Sequence, residues 1–196
     1  MGDQRLDLAM QDQDWDLALD LIHNKQGLRH TDTGWSVLHT AVWKNAPATV
    51  CEQLTYYVDV NKPDDLGDSP IHYAVRFNVS HALLKVLLKA GGDPNRLNLG
   101  GHTPLMLGVF TECSVELLLL LLSFHASLEV RDHGGRNAID WAGLQGRYEV
   151  KRELERVRVV SLLAGTSMFK RKGCPVSSLP LDLVRKVNLF LSKCPD

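Results

Sequence analysis

The chain has 196 residues, enough for one domain and a short appendage. Lys plus Arg is 22 and Asp plus Glu is 23, a formal net charge of -1, so a nucleic-acid binder, which needs a basic surface to meet phosphates, is not expected. Hydrophobic residues at 44% exclude a disordered chain, and four cysteines without a CxxC pair suit a reduced, intracellular setting rather than a secreted disulfide scaffold.

In chain order, the opening MGDQRLDLAMQDQDWD is acidic and has no apolar h-region, so no signal peptide is expected. Leu6, Leu8 and Ala9 begin a helix, and Trp15 to Ile22 reads as its antiparallel partner with a polar outer face. From Gly34 a segment then repeats without gaps. GWSVLHTAVWK is followed by GDSPIHYAVRF from Gly67, GHTPLMLGVFT from Gly101 and GRNAIDWAGLQ from Gly135, at steps of 33, 34 and 34 residues. Each glycine suits a turn that needs positive φ. Ser36, Ser69, Thr103 and Asn137 are good N-caps, and Pro70 and Pro104 stand at a first helical position, where a missing N–H costs nothing. Ala41, Ala74, Gly108 and Ala142 are small, which lets two antiparallel helices approach.

A second helix is expected in each unit, over Thr49–Tyr57, His81–Lys89, Val115–Phe124 and Tyr148–Arg158, with apolar residues at i, i+3, i+4 spacing as in Leu83, Leu84, Leu87 and Leu88. Ala90-Gly91-Gly92-Asp93-Pro94-Asn95 ends one of them at a glycine and turns into the next loop. The longest apolar run, Val115 to Leu122, is interrupted by Glu116 and is too short to span a bilayer.

The repeated segment resembles the ankyrin repeat family, whose signature is a turn glycine followed by T-P-L-H-x-A. Ser69-Pro70-Ile71-His72-Tyr73-Ala74 is the nearest copy and Asn137-Ala138-Ile139-Asp140-Trp141-Ala142 the most degenerate. The resemblance covers roughly residues 6 to 160 and implies an all-α ankyrin repeat solenoid of about five helix pairs with β-turn or hairpin loops. The repeat domain is placed at 1–158, with an N-terminal capping repeat at 1–33 and repeats starting near 34, 67, 101 and 135. Such units cannot bury their apolar faces alone, so stacking supplies one continuous core.

There is no GxSxG, GxxxxGK[ST] or HExxH, and no carboxylate spacing nominates an acid/base pair. His39 and His72 occupy the family's buried, hydrogen-bonding histidine position, which Met106 and Asp140 take in the later repeats. The other six histidines lack metal-ligand spacing. No catalytic residue, cofactor or metal is therefore expected, although an enzyme site assembled from residues distant in sequence stays open. In the family the loop asparagines, here Asn61 and Asn95, bridge backbone turns, and some are hydroxylated; Glu129 replaces them in the next repeat.

The resemblance also implies a concave groove lined by turn tips and first helices. Those positions carry Trp35, Leu66, Asp68, His102 and Arg136 at the tips, and Trp43, Lys44, Arg76, Phe77 and Phe110 on the helices. Aromatic residues and arginine concentrate at protein interfaces. The reading is a protein or peptide site with a rim of mixed charge that includes Asp68; the alternative is that Trp43 and Phe110 tuck partly into packing between repeats.

Residues 159–196 leave the repeat pattern. They hold six basic and two acidic residues, a net +4, which leaves -5 on residues 1–158. A helix is expected over 178–192. Leu179-Pro180 with Leu183, Val187 and Leu191 is similar to the opening of an F-box, and Leu179-Pro180-Leu181 ending in Phe190-Leu191 is similar to the close of a SOCS box. Either resemblance implies docking to a Skp1-type protein or to elongin and a cullin. The other reading is a helix that caps the last repeat. The expected function is thus a non-catalytic interaction module, with a substrate-recognition subunit of a ubiquitin ligase as the alternative. The expected setting is the cytoplasm, with the nucleus as alternative, and the expected state outside a complex is a monomer.

Overall fold

In the computed structural model, residues 5–24 and 34–165 are described. They contain ten α-helices and no strand: α1 Arg5–Asp12, α2 Trp15–His23, α3 Val37–Trp43, α4 Ala48–Thr55, α5 Pro70–Arg76, α6 His81–Lys89, α7 Pro104–Phe110, α8 Val115–Ser123, α9 Ala138–Leu144 and α10 Tyr148–Gly165. The chain divides into two compact units, Met1–Ala138 and Ile139–Asp196.

The caps expected from sequence start these helices. Ser36 precedes α3; its hydroxyl accepts the His39 N–H, while its own N–H donates to His39 Nδ1 at 3.1 Å. Ser69 and His72 repeat the latter bond, also at 3.1 Å, and Pro70 follows at the first helical position. Thr103 caps α7, Ser80 caps α6 and Ser114 caps α8 through their side-chain oxygens. After Pro47 at its cap, α4 starts at Ala48 and stops at Thr55, two residues before the expected Tyr57. α8 stops one residue short of Phe124. α10 runs past Arg158 to Gly165, because Val157-Arg158-Val159-Val160 contains no breaker.

In the first unit, α1, α3, α5 and α7 pack side by side in one layer, and α2, α4, α6 and α8 form the other; each first helix also packs on its own partner. The core between the layers includes Leu38, Leu54, Ile71, Leu83, Leu84, Leu87, Leu105 and Leu117, all fully buried. Ala41 and Ala74 are fully buried where the layers meet. Gly108 stands at the corresponding place in α7, and a Cβ there would lie 2.8 Å from Cys113 Sγ and 2.9 Å from Leu118 Cδ2. The first pair departs from its expected polar outer face by exposing Leu8 and Leu17.

Hairpin-like turns connect the pairs. The Asp64 N–H donates to the Asp68 carbonyl at 3.0 Å and the Gly67 N–H to the Asp64 carbonyl at 2.9 Å; Asn98, Gly101 and His102 repeat this, as do Asp132, Gly135 and Arg136. Gly67 has φ of +77°, and a Cβ on it would approach the Leu99 backbone nitrogen to 2.7 Å. Successive turns touch there, since the Leu99 N–H donates to the Leu66 carbonyl at 3.0 Å. The second unit contains α10 and most of α9, joined by a turn in which the Arg147 N–H donates to the Ala142 carbonyl at 2.9 Å.

Candidate functional site

The C-terminal ends of the first helices carry the residues picked out from sequence. α3 ends on Trp43 and Lys44, α5 on Arg76 and Phe77, and α7 on Phe110. Trp43 is 43% exposed, Phe77 44%, Phe110 54% and, at a turn tip, Leu66 59%, so these four are not core residues. Trp43 and Phe110 are each partly covered and partly exposed.

Trp43 and Phe77 are the visible ends of a longer aromatic run. Half-buried Trp35 meets Trp43 edge-on at 5.8 Å between ring centroids and Tyr73 at 5.1 Å. Tyr73 in turn meets His39 at 5.1 Å and Phe77 at 5.8 Å. The contacts of Trp35 with Trp43 and Tyr73, and of Tyr73 with His39, are edge-to-face, a geometry that holds rings in place as well as burying area, while Tyr73 and Phe77 are tilted at 40°. Two cations lie on this run: Lys44 Nζ is 4.6 Å from the Trp43 ring and the Arg76 guanidinium 5.6 Å from the Tyr73 ring.

Tyr73, which the sequence reading passed over, is the hub. Its hydroxyl donates to Asp64 Oδ2 at 2.7 Å, and Asp64 Oδ1 accepts the N–H groups of Leu66 and Asp68 at 2.9 and 2.8 Å. Burial first, and then the bonded Asp64 carboxylate, hold the Tyr73 phenol above its ordinary range. A signal existed: Tyr73 fills the variable slot of the repeat signature with a large aromatic residue.

Asp68 is a correction. Expected on a polar rim, it is fully buried. Its carboxylate takes Arg76 Nη2 at 2.6 Å and Asn98 Nδ2 at 2.7 Å, so it fixes the guanidinium from beneath rather than meeting a partner. Arg136 makes a looser pair with buried Asp132 at 3.6 Å and is exposed. His102 is half-buried, and its backbone has a structural part: its N–H donates to Asn98 Oδ1 at 2.9 Å and its carbonyl accepts His72 Nε2 at 3.1 Å.

Two ladders tie neighbouring pairs together. His39 Nε2 donates to the Asp68 carbonyl at 3.1 Å, as His72 does to His102. Each Nδ1 accepts a backbone N–H, which assigns the proton to Nε2. Burial pushes both imidazoles below their ordinary value of 6.5. Asn61 donates to the Gly91 carbonyl at 2.9 Å and accepts the Asp93 N–H at 2.7 Å; Asn95 does the same with His125 and Ser127 at 2.9 and 2.7 Å. The bridging part expected for both asparagines is what they perform.

Leu99 is a further residue missed from sequence; it is 72% exposed on the turn next to Leu66. It stands two residues before Gly101 rather than directly beside it. The expected ligase-docking residues Leu179, Pro180, Leu183, Val187 and Leu191, with the helix 178–192, lie outside the described residues. Among the described residues no group of three or more His, Cys, Asp or Glu is arranged to hold a metal, and no helix is long and apolar enough to cross a membrane.

A family model described as ankyrin repeats (3 copies) matches residues 6–98 and 71–155. The chain is similar to ankyrin repeat protein 14 of vaccinia virus, 24% identical over 144 residues, with 72% of this chain and 54% of that protein covered. It is also similar to the putative ankyrin repeat protein FPV219 of fowlpox virus, 28% identical over 167 residues, covering 79% of this chain and 38% of that protein. Human Rabankyrin-5 matches at 27% over 157 residues, which is 74% of this chain but 13% of its own length. The chain thus spans about half or less of these relatives. Ankyrin repeats are protein–protein interaction modules, and by the family model and by its own helix pairs and turns this chain belongs to the ankyrin repeat family.

Proposed function

We infer that the row Trp43, Phe77 and Phe110, on the concave side of the repeat array, captures a protein or peptide partner without catalysis. The observation that carries this reading is the exposure of large aromatic side chains on rigid supports. Trp43 and Phe77 are over 40% exposed, yet they sit against Trp35 and Tyr73, and Arg76 is pinned by a buried carboxylate. Pre-ordered aromatic anchors lose little entropy on binding, which is how a few residues come to carry most of an interface. Lys44, Leu66 and Leu99 extend the contact surface, and His102 and Arg136 continue it to the next turns. The test compares proteins co-purifying from the source cell with wild type and with Trp43→Ala/Phe77→Ala. A partner should drop out while the melting temperature stays near wild type; an unchanged set of partners refutes the reading.

A second reading makes the repeats the substrate receptor of a cullin-type ubiquitin ligase, working in the cytoplasm or the nucleus. The pattern Leu179-Pro180 with Leu183, Val187 and Leu191 favours it. Pull-down of Skp1-type or elongin proteins by the full-length chain, lost when residues 178–196 are deleted, supports it; no such capture by the full-length chain removes it.

A further inference from the structure

We propose that the partner segment taken by this face is an extended acidic one, with large apolar side chains about every third residue and Asp or Glu between them. The proposal rests on the face being the binding face and specifies what fits there.

Charge is distributed unevenly around the first unit. Although residues 1–158 carry a net -5, the turns over 62–68 and 96–102 and the ends of α3 and α5 present Lys44, Lys62, Arg76 and Arg96, all partly exposed. The carboxylates in the same region are mostly withdrawn. Asp64 is buried under two backbone N–H groups and the Tyr73 hydroxyl, and Asp68 is buried under Arg76 and Asn98. Asp65 is the carboxylate these two turns leave exposed. Lys62 and Arg96 stand at the same register of successive turns, two residues before Asp64 and Asn98. Of the other exposed acids, Glu52, Asp59, Asp93 and Glu116 lie in the other layer and its outgoing turns, and Glu112 follows the end of α7. A docking segment reads the groups that reach solvent, and at the ends of α3 and α5 those are cations beside aromatic rings.

The ends of the first helices alternate in type. α3 offers Trp43 then Lys44, and α5 offers Arg76 then Phe77, so each of these two repeats sets one ring beside one cation. Packed helices lie about 8–10 Å apart. A chain in the polyproline II conformation advances about 3.1 Å per residue with three residues per turn, so about three residues carry it from one repeat to the next and bring the side chain back to the same side. An apolar side chain at i meets Trp43, one at i+3 meets Phe77, and the carboxylates between them meet Lys44 and Arg76. An acidic segment also approaches an otherwise acidic body at its basic strip, which fixes orientation through electrostatic complementarity. A nucleic acid would find too few cations for its dense phosphates and too many carboxylates on the other faces.

Fluorescence anisotropy with the full chain tests this. The probe is a labelled peptide of about a dozen residues, Leu or Phe at every third position and Asp or Glu between. Its controls are the same peptide with Lys for each acid, an uncharged version with Ser, and a single-stranded oligonucleotide. The acidic peptide is expected to bind tightest, to weaken as salt rises from about 0.05 to about 0.3 M, and to lose about tenfold with Lys44→Glu/Lys62→Glu and again with Trp43→Ala. Failure of the acidic peptide to bind, equal binding of the Lys or Ser version, or preferential binding of the oligonucleotide overturns the proposal. Binding of the Ser version that responds to Trp43→Ala but not to charge reversal overturns the acidic partner alone and leaves the binding face standing. Peptide binding that ignores both Trp43→Ala and Phe77→Ala overturns the face as well.

Discussion

Replacement of His39 by Leu removes the strut between two helix pairs and leaves its partners in place. The ring accepts the Ser36 N–H at 3.1 Å and the Ser36 hydroxyl at 2.8 Å, and donates to the Asp68 carbonyl at 3.1 Å. Ser36 and Asp68 are fully buried, so water does not replace these bonds. The Ser36 hydroxyl keeps its bond from the residue-39 N–H, and the Asp68 carbonyl keeps the Asp64 N–H. The Ser36 N–H is left without an acceptor, which costs about 1–3 kcal/mol, and a lost bond to a carbonyl adds about 1. The expected loss is therefore about 2–4 kcal/mol, read from urea unfolding above pH 7 with an unchanged slope. The pH dependence gives a second readout. Burial lowers the folded values of His39 and His72 below the unfolded 6.5. Their neutral-form stability is complete above 6.5 and is lost as pH falls through 6.5 toward the lower folded values, by at most about 1.4 kcal/mol per pH unit for each histidine. His39→Leu should flatten that slope, leaving the share of His72. A loss under about 1 kcal/mol, or an unaltered slope below pH 6.5, refutes the strut.

Other positions make separate demands. Gly67→Ala should cost about 1–3 kcal/mol in thermal unfolding, because φ is +77° and the new Cβ meets the Leu99 backbone nitrogen at 2.7 Å. Gly91→Ala, with φ of +87° but nothing within 4 Å, should cost less, isolating the backbone strain from the collision. Asn95→Ala should cost about 1–2 kcal/mol and speed hydrogen exchange at the Ser127 amide, whose N–H loses its acceptor. Cys51 is fully buried with its thiol pushed up to about 12, so a thiol reagent should label it only through opening of the fold, at a rate that climbs with sub-denaturing urea.

The starts of the helices were legible because their causes are local. Ser36, Ser69 and Thr103 act within three residues, and a fixed spacing repeats them. The ends were less so: Pro47 shifts α4, and no breaker marks the end of α10 near 158. The exposure of Trp43, Phe77 and Phe110 follows from repeat register. The burial of Asp68 does not, because it depends on Asn98, 30 residues away, as well as on Arg76. The place of Tyr73 at the centre of the aromatic run likewise depends on Trp35 and His39 from the preceding repeat.

The reach of the ties between helix pairs has a consequence for how such a chain changes length. His39 to Asp68 spans 29 residues, His72 to His102 spans 30, Asn61 to Asp93 spans 32, and Asn78 to Ser114 spans 36. Each tie reaches one neighbour and none closes the array end to end. Because Asp68 and His102 present the same carbonyl to successive histidines, excising the 34 residues from Gly67 to Gly100 would hand His39 the carbonyl of His102 in place of that of Asp68. Gain or loss of a whole repeat thus preserves the bonding rules of those that remain, whereas an insertion of half a repeat would break every rung it crosses.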